Sequence, residues 1–403
     1  MSFSNIAIII PTYNRPIALK RLLNSISCSN FLGNNNVDLI ISCDYSGEDF
    51  CRVVADDFIW GFGRKKVIVH DINLGLREHV FFCGDLVKDY DGIIMLEDDL
   101  FVSPNFYKYV VESNSFFQKD TRIGQISLYN YRYDEYSSSI FNPIGQNADN
   151  FFMQVPSSWG QFWTKNQWIS FRESYKRNEL DITENCVLPT IVKRNWPESS
   201  WKKYLYHYLI KENLFVVYPY TSLSTNFGEV GTHFEQRVKF THSALAYNTK
   251  NFQFASLDNS KSVYDYNFEL HPMVYSHYLS DELREYNVEF DLNGTKELTQ
   301  INADYLISMK DCKAPIRTFS NDLLPQELNI ILDNEGQFYS LGRTEDFTDH
   351  NPRIKRLKRN LDFIPTGIIS ALEKETRKEY ERMLPFRIHR RLRLIFNLFK
   401  INS

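Results

Sequence analysis

The sequence predicts an α/β fold in which a mostly parallel sheet carries helices on both faces. Short apolar runs predict four buried strands, at 6–10, 37–42, 66–70 and 93–96. Amphipathic helical patterns separate these runs, at 16–26, 49–58 and 76–88. Such alternation is typical of βαβ units, whose strands run parallel. The length of 403 residues allows two or three domains.

Polar side chains follow each predicted strand at its carboxyl end, where open parallel sheets bind their ligands. The candidates there are Thr12, Tyr13, Arg15, Asp44, Asp71, Asn73 and the acids at 97–99. Arg15 and Arg77 could meet phosphate oxygens, and Asp44 could accept a hydrogen bond from a nucleotide base. Each arginine could equally be a solvated charge at a helix end.

Three consecutive acids, Glu97, Asp98 and Asp99, directly follow the fourth apolar run. Like charges this close raise one another's pKa unless a cation or a hydrogen-bond network meets them. Carboxylate oxygens suit Mn²⁺ or Mg²⁺, which take one or two protein carboxylates and complete their shell with water and phosphates. A solvated turn is the alternative. The position directly after a buried strand favours a metal site.

Two common phosphate-binding loops are absent. The chain has no P-loop, and Gly61 and Gly63 lack the third glycine of a dinucleotide fingerprint. This disfavours a dinucleotide or ATP site. What remains is a mononucleotide diphosphate that a metal ion bridges to Asp99.

Later segments supply candidates for sugar and acceptor binding. Residues 130–154 predict a long irregular loop, either a lid or acceptor-facing loop or a partly disordered insertion. Trp159 could stack on a sugar ring beside Gly160, where backbone can approach a ligand. His233, in a glycine-containing loop, could contact metal or phosphate or could be an ordinary surface histidine.

Eight short motifs together resemble the nucleotide-sugar glycosyltransferases of the GT-A fold. They are 8–15 (IIIPTYNR), 42–44 (SCD), 73–77 (NLGLR), 96–100 (LEDDL), 103–106 (SPNF), 158–160 (SWG), 226–228 (NFG) and 232–233 (TH). Their order and spacing are similar to bacterial family 2-type sugar transferases and to N-acetylglucosaminyltransferase I, whose signature is a Glu-Asp-Asp triplet. The resemblance covers roughly residues 5–245.

This resemblance implies an inverting, metal-dependent transfer of a hexosyl or N-acetylhexosaminyl group. The sugar would pass from a nucleoside diphosphate sugar, with UDP expected, to a hydroxyl of a glycan or lipid-linked acceptor. By position, the nucleotide-sugar site would comprise Pro11, Thr12, Tyr13, Arg15, Asp44, Arg77, Glu97 and Asp98. Asp99, with His233 as a second candidate, would ligate Mn²⁺ or Mg²⁺. Trp159 and Gly160 would meet the sugar or acceptor.

The catalytic base is where the sequence departs from the resembled family. An inverting transfer needs a carboxylate within reach of the acceptor hydroxyl. Relatives tend to place an acid just after the tryptophan that matches Trp201, but Lys202 and Lys203 stand there. Glu198 is the substitute candidate, although it could simply complement a helix dipole. Asp181 and Glu184 are further candidates.

The sequence therefore divides into a nucleotide-sugar-binding half at 1–105, an acceptor-binding half at 106–250, an accessory segment at 251–345 and a basic helical tail at 346–403. From Arg353 onward the chain has fourteen Lys and Arg against five Asp and Glu. Residues 386–400 predict an amphipathic helix for an anionic membrane surface, or alternatively a helix docked on the protein or in a dimer contact.

Composition indicates which partners and which cellular compartment to expect. The net charge of −4 gives no overall nucleic-acid signature, so no nucleic-acid partner is expected. Six cysteines form no CxxC pair, and no secretory signal or membrane-spanning run is recognised. We expect a cytoplasmic protein, peripheral at the inner face of the plasma membrane. Two functions stay open: a glycosyltransferase of bacterial surface polysaccharide or glycoconjugate synthesis, and a catalytically weak nucleotide-sugar or glycan-binding protein on the same fold.

Overall fold

The computed structural model describes residues 5–183, 186–229, 238–248 and 251–383. The chain divides into two compact units, Met1–Pro352 and Arg353–Ser403. The first unit holds fifteen strands within its described residues: β1 Ile6–Thr12, β2 Leu39–Cys43, β3 Lys65–Val69, β4 Gly92–Met95, β5 Leu100–Val102, β6 Ile123–Ser127, β7 Asn150–Met153, β8 Gln161–Thr164, β9 Phe215–Pro219, β10 Ser224–Asn226, β11 Val263–Tyr264, β12 Val288–Asp291, β13 Tyr305–Ser308, β14 Arg317–Phe319 and β15 Tyr339–Arg343.

Nine of these strands form one sheet in the order β11-β7-β9-β6-β8-β4-β1-β2-β3. β1 to β4 pair in parallel, as the sequence predicted, and β8 joins antiparallel to both β4 and β6. β5 and β10 form a separate antiparallel pair. The prediction of an α/β fold with a large, mostly parallel sheet is therefore confirmed.

Nine α-helices belong to the described part of the first unit: α1 Pro16–Ser27, α2 Phe50–Asp57, α3 Gly75–Asp85, α4 Phe106–Phe117, α5 Lys165–Lys176, α6 Thr190–Asn195, α7 Trp201–Lys211, α8 Asp281–Arg284 and α9 Leu328–Ile331. The apolar positions of α1 at helical spacing, Leu19, Leu22, Leu23 and Ile26, are all buried. β1 is buried along its whole length. These buried elements support the carboxyl ends of the strands, where the candidate site residues lie.

Three local predictions were wrong in whole or in part. Ser103 and Pro104 predict the N-cap and first residue of a helix, but α4 begins at Phe106, because the Asn105 backbone N–H donates to the Ser103 hydroxyl and the chain turns once more. The irregular loop predicted at 130–154 ends in strand β7, which pairs with β9. The apolar run at 329–332 predicts a strand followed by a hairpin turn at 333–336, but residues 329–331 belong to helix α9, so this turn does not join two strands.

The segment after residue 250 adds a second, four-stranded sheet in the order β12-β13-β15-β14. Its apolar side chains, including Phe290, Ile307 and Leu341, belong to the same continuous core as the large sheet. The second unit contains helices α10 Arg353–Asp362 and α11 Thr366–Met383. Among the described residues, none of the helices has the length and apolar character needed to span a bilayer.

Candidate active site

The carboxyl ends of β1, β2 and β4 lie side by side at one edge of the large sheet. Thr12 at the end of β1 is paired with Cys43 at the end of β2, and the Asp44 backbone N–H donates to the Thr12 carbonyl at 3.0 Å. On the other side, the Leu96 N–H donates to the Ile9 carbonyl at 3.0 Å. Parallel pairing thus brings together residues that are more than eighty positions apart.

Asp98 is held at the end of β1. Its Oδ2 accepts the Thr12 hydroxyl at 2.7 Å and the Tyr13 backbone N–H at 3.2 Å. Its Oδ1 lies 2.6 Å from Arg15 Nη2. Burial raises the pKa of Asp98 to about 6 even though the Arg15 charge acts in the opposite direction. The carboxylate is therefore fixed by the backbone and hydroxyl of the strand end.

Asp99 faces the same guanidinium from the other side. Arg15 Nη1 lies 2.8 Å from its Oδ2, and the Asn226 amide donates to its Oδ1 at 3.1 Å. Burial alone would lower the pKa of Arg15, but the charges of Asp98 and Asp99 outweigh it and raise that pKa. Arg15 is thus the counter-cation of both acids.

Glu97 is half-buried, and no described side chain forms a hydrogen bond with its carboxyl group. Burial, followed by the charge of Asp99, raises the pKa of Glu97 to about 8. The positive charges of Arg15 and Lys202 act against this shift, which places Lys202, at the start of α7, close to the acid cluster.

A divalent cation fits the chemistry of this strand end, with few protein ligands. Among residues 5–183, 186–229, 238–248 and 251–383, no group of three or more His, Cys, Asp and Glu is arranged to hold a metal. Asp98 Oδ1 is buried, with the Arg15 guanidinium 2.6 Å away as its only partner among the described residues, and Asp99 shares the same guanidinium. One or two carboxylates, with water and substrate phosphates, suffice for Mg²⁺ or Mn²⁺.

Asp44 is buried and organises the start of helix α3. Its Oδ1 accepts the backbone N–H groups of Tyr45 at 2.9 Å and Leu74 at 2.8 Å, and its Oδ2 accepts that of Gly75 at 3.1 Å. Beneath it, burial lowers the pKa of His79 to about 4, and Asp44 only partly offsets this. Asp44, the predicted base-binding residue, therefore stabilises the loop that leads into α3.

The remaining candidates of the nucleotide half differ in exposure. Pro11 is buried within β1 opposite Ser42, while the Tyr13 ring is 46% exposed at the rim. Arg77 on α3 donates from Nη1 to the Glu198 carbonyl at 2.9 Å. The structure thus joins the nucleotide half to the loop that precedes α7.

Trp159 lies half-buried beside the acid cluster. Its ring contacts Tyr129 edge-on, with centroids 4.8 Å apart, and its carbonyl accepts the Ser224 hydroxyl at 2.6 Å. Gly160 is buried with a φ of +90°, and an added Cβ would lie 2.8 Å from Ser224 Oγ and 3.0 Å from Leu128 Cβ. Gly160 is therefore required by close packing of the protein's own chain, where the sequence suggested approach to a ligand.

The candidate bases are scattered. Glu198 and Asp181 are both exposed, and the Glu198 contact to Arg77 uses its carbonyl and not its carboxylate. Lys203 is buried, and its Nζ donates to the carbonyls of Lys193 at 3.1 Å and Trp196 at 2.9 Å. Glu184 and His233 lie outside the described residues, as do residues 386–400.

Two residues at this site were not singled out from the sequence. Asn226 belonged to a recognised motif, yet its bond to Asp99 depends on the pairing of β10 with β5, which no local pattern reveals. Glu135 stands 3.7 Å from Lys202 through its Oε2. It lies in a tyrosine-rich loop without periodicity, so only the fold brings it to the site.

This architecture, a mixed sheet whose parallel strand ends carry a Glu-Asp-Asp cluster, is that of the GT-A fold. Residues 7–173 match the model of glycosyl transferase family 2, which is less than half of the chain. Residues 7–173 are therefore similar to glycosyl transferase family 2.

Solved structures with a similar fold are distant. A mannosyltransferase from Pyrobaculum calidifontis, in complex with GDP-Man and Mn²⁺, has a TM-score of 0.30 and 9% identity, covering 41% of this chain and 46% of its own. TarS 1–349 from S. aureus has 0.33 and 13%, covering 53% and 60%. GalNAc-T7 with UDP, GalNAc and Mn²⁺ has 0.38 and 12%, covering 54% and 43%.

The chain thus spans less than two thirds of the length of these structures. Similarity at this level does not carry their substrates over to this protein. No curated protein sequence matches the chain.

Proposed function

We propose that the protein is an inverting, metal-dependent glycosyltransferase. It would move a hexosyl or N-acetylhexosaminyl group from a nucleoside diphosphate sugar, with UDP expected, to a hydroxyl of a glycan or lipid-linked acceptor in bacterial surface polysaccharide or glycoconjugate synthesis. The observation that carries the proposal is the cluster at the end of β4, where Asp98 and Asp99 share the Arg15 guanidinium within the residues that match glycosyl transferase family 2.

The residues of the cluster suit the electrostatics of such a transfer. When the sugar leaves, negative charge develops on the nucleoside diphosphate, and stabilising that charge is the largest demand of the reaction. Asp99 would hold Mn²⁺ or Mg²⁺, which supplies positive charge to the departing phosphates. Arg15 brings a second positive charge to the same place. Asn226 and Thr12 keep the two aspartates in position.

The surrounding residues suit a nucleotide sugar. Asp44 and Arg77 would bind on the nucleotide side, at the two ends of the β2 to α3 region. The half-buried Trp159 ring would stack against the apolar face of a sugar or acceptor. Pro11 and Tyr13 would line the same rim.

Thermal stability and turnover with a panel of nucleotide sugars test the proposal. We expect one UDP-sugar to raise the melting temperature in the presence of Mn²⁺, since a ligand at 100 times its Kd stabilises a protein by about 2.7 kcal/mol. The same sugar should be released as free nucleotide or transferred product, and EDTA should prevent this. If neither UDP- nor GDP-sugars shift the melting temperature or turn over, the proposal is wrong.

A second function is favoured by one observation. Lys202 and Lys203 occupy the place where an acid was expected, so the chain could bind a nucleotide sugar without transferring it efficiently. Under that alternative, Mn²⁺ and the donor raise the melting temperature, but no nucleotide is released in the presence of any acceptor.

The basic tail supports a peripheral location at the inner face of the plasma membrane. Its excess of positive charge suits acidic phospholipid, where each basic residue contributes about 1 kcal/mol. Removing residues 385–403 should abolish binding to phosphatidylserine-containing liposomes. Unchanged liposome binding would count against this location.

A further inference from the structure

Three strand ends bring a second group of side chains to the edge that carries the acid cluster. Met95 at the end of β4 pairs with Gln161 at the start of β8, and the same Gln161 pairs with Ser127 at the end of β6. The chain leaving β6 therefore starts at the same edge of the sheet as Glu97, with β8 between them. That chain is the tyrosine-rich loop that contains Glu135.

Lys202 lies in a pocket formed by three aromatic rings. Its Nζ lies 5.2 Å from the Trp196 ring centroid, 5.6 Å from that of Tyr131 and 5.9 Å from that of Trp159. It donates a hydrogen bond to the Tyr131 hydroxyl at 3.0 Å. The Lys202 side chain is only 12% exposed, so its ammonium is fixed in place.

Glu135 provides the carboxylate of this pocket. Its Oε2 lies 3.7 Å from Lys202 Nζ, which is an ion pair longer than a hydrogen bond. The Glu135 side chain is 23% exposed, and within the described part of the chain no hydrogen bond occupies its oxygens. The carboxylate is therefore oriented by the lysine and open to a hydroxyl group.

Strand β10 connects this aromatic pocket to the acid cluster at the end of β4. Ser224 donates to the Trp159 carbonyl, and two residues later Asn226 donates to Asp99. The Lys202 ammonium lies 5.9 Å from the Trp159 ring centroid and also acts on the charge of Glu97, so it stands between Glu135 and the acid cluster. An acceptor hydroxyl that attacks a sugar held at the acid cluster would come within reach of Glu135 from this side.

We propose that Glu135 is the catalytic base and that Lys202 is its positioning residue. The inference rests on the proposed glycosyl transfer. The Glu135 carboxylate takes the proton of the acceptor hydroxyl while that oxygen bonds to the anomeric carbon of the donor sugar. The bond from this carbon to the diphosphate oxygen breaks, and its electron pair leaves with the nucleoside diphosphate. A base on the loop after β6 thus replaces one at the start of α7.

The position of Glu198 favours this assignment. Glu198 is exposed, and the backbone carbonyl bond from Arg77 is what anchors its loop. Its carboxylate acts on the Tyr204 hydroxyl, but within the described residues it forms no ion pair with a lysine or arginine. Glu135, by contrast, is enclosed by tyrosines and faces a fixed cation.

The test uses the full chain with its preferred donor, Mn²⁺ and an acceptor. Glu135→Gln should lower kcat by about 10² to 10⁴-fold, the usual contribution of a general base, while the donor still raises the melting temperature as in the wild type. The kcat of the wild type should rise with pH on its acidic side, and that rise should be absent in Glu135→Gln. Glu135→Asp should recover part of the rate.

Lys202→Met should lower kcat with little change in donor binding, and Lys202→Arg should restore most of it, since a positive charge is what the carboxylate requires. Glu173→Gln, at an exposed position on α5, is the matched control and should keep full activity. A rate loss in Glu135→Gln accompanied by lost donor binding would indicate a structural role and overturn the assignment.

The two proposals fail in distinguishable ways. If the wild-type chain transfers no sugar from any donor, the proposed function falls and the assignment of Glu135 falls with it. If the wild type transfers sugar and Glu135→Gln transfers it equally fast, only the assignment is overturned. A large loss in Glu198→Gln with none in Glu135→Gln would identify Glu198 as the base instead.

Discussion

The molecule contains two dense clusters of acids, and they differ in what balances their charge. The cluster at the end of β4 has three consecutive acids and one arginine, Arg15, which two of them share. The cluster in the accessory segment has Asp265, Glu269, Glu289 and Asp291 around two buried lysines. In the first cluster no described side chain forms a hydrogen bond with Glu97, at the edge of the sheet, whereas the second cluster holds its acids with lysines and backbone N–H groups within the fold.

The second cluster is closed by short contacts on all sides. Lys296 Nζ lies 2.6 Å from both Asp265 Oδ2 and Glu289 Oε1. Asp291 accepts the backbone N–H groups of Thr295 and Lys296 through Oδ1. Lys310 donates to the Lys296 carbonyl at 2.6 Å and is paired with Asp349. Such a network fixes the loop between β12 and β13.

The comparison teaches that charge density alone does not mark a functional site. Both clusters bury carboxylates at a cost, since burial raises the pKa of Asp98 to about 6 and that of Asp291 to about 6. The cluster after β4 lies at the edge where parallel strands end, with a Glu97 carboxyl group that forms no hydrogen bond with a described side chain, whereas the accessory cluster is closed by its own lysines. We therefore expect the first to act on ligands and the second on stability.

The largest expected effect is that of Asp99→Asn on activity. Loss of the carboxylate should remove the metal site and lower transfer by about 10³-fold, or about 4 kcal/mol of barrier. The melting temperature without ligand should change little, and the rise caused by donor with Mn²⁺ should disappear. Asp57→Asn, at an exposed position at the end of α2, is the control. Full activity in Asp99→Asn would show that the acid cluster after β4 is not needed for transfer.

The second effect should fall on stability. Lys296→Met leaves the buried Asp265 and the partly buried Glu289 without their cation, so the free energy of unfolding should fall by about 3 kcal/mol or more. Activity per folded molecule should be unchanged. Urea denaturation gives the free energy, and Lys313→Met, at an exposed lysine, should stay within about 0.5 kcal/mol of the wild type. A stable Lys296→Met chain would show that the network is dispensable.

The sequence predicted the first cluster well, because it follows a local pattern. A buried apolar run and the acids after it are adjacent in the chain, and parallel pairing brings Thr12, Asp44 and Asp98 to one edge whenever the βαβ order is right. The strand pattern was therefore enough to place these residues together. Their individual roles at the nucleotide remain predictions.

The second cluster and the Glu135 pocket could not be read in this way. Asp265 and Lys296 meet across about thirty residues of irregular chain, and Glu135 meets Lys202 through the packing of a loop on the start of α7. Neither pair lies in a repeat or directly after a predicted strand, so no local pattern in the sequence predicts that its residues meet. The helix at 328–331 was mistaken for a strand for the same reason, since four apolar residues fit either structure.

Gly160→Ala tests whether close packing near the acid cluster contributes to stability. The φ of +90° disfavours any side chain, and the new Cβ would lie within 3.1 Å of Ser224 and Leu128 atoms. Stability should fall by about 1 to 3 kcal/mol in urea denaturation. Gly145→Ala, where an added Cβ meets nothing within 4 Å, is the control. If Gly160→Ala were as stable as the wild type, a glycine at this turn would not be needed for the packing beside Trp159.

The smallest effect concerns pH and the accessory cluster. Burial, followed by the charge of Asp291, raises the pKa of Glu269 well above its ordinary value. A carboxyl group with a raised pKa stabilises the fold fully only below its unfolded pKa of about 4.3, and this contribution is lost as pH rises toward the folded pKa. Glu269→Gln keeps an oxygen for the Asn293 N–H and removes this loss.

The free energy of unfolding of Glu269→Gln should therefore match that of the wild type near pH 4 and exceed it at pH 8. Lys296 keeps Asp265 and Glu289 as partners in this variant. Urea denaturation at several pH values measures the difference, and Glu285→Gln, at an exposed position, should show none. If Glu269→Gln were less stable than the wild type at pH 8, the ionised carboxylate would be a net contributor there, and the accessory cluster would be balanced more fully than its lysines suggest.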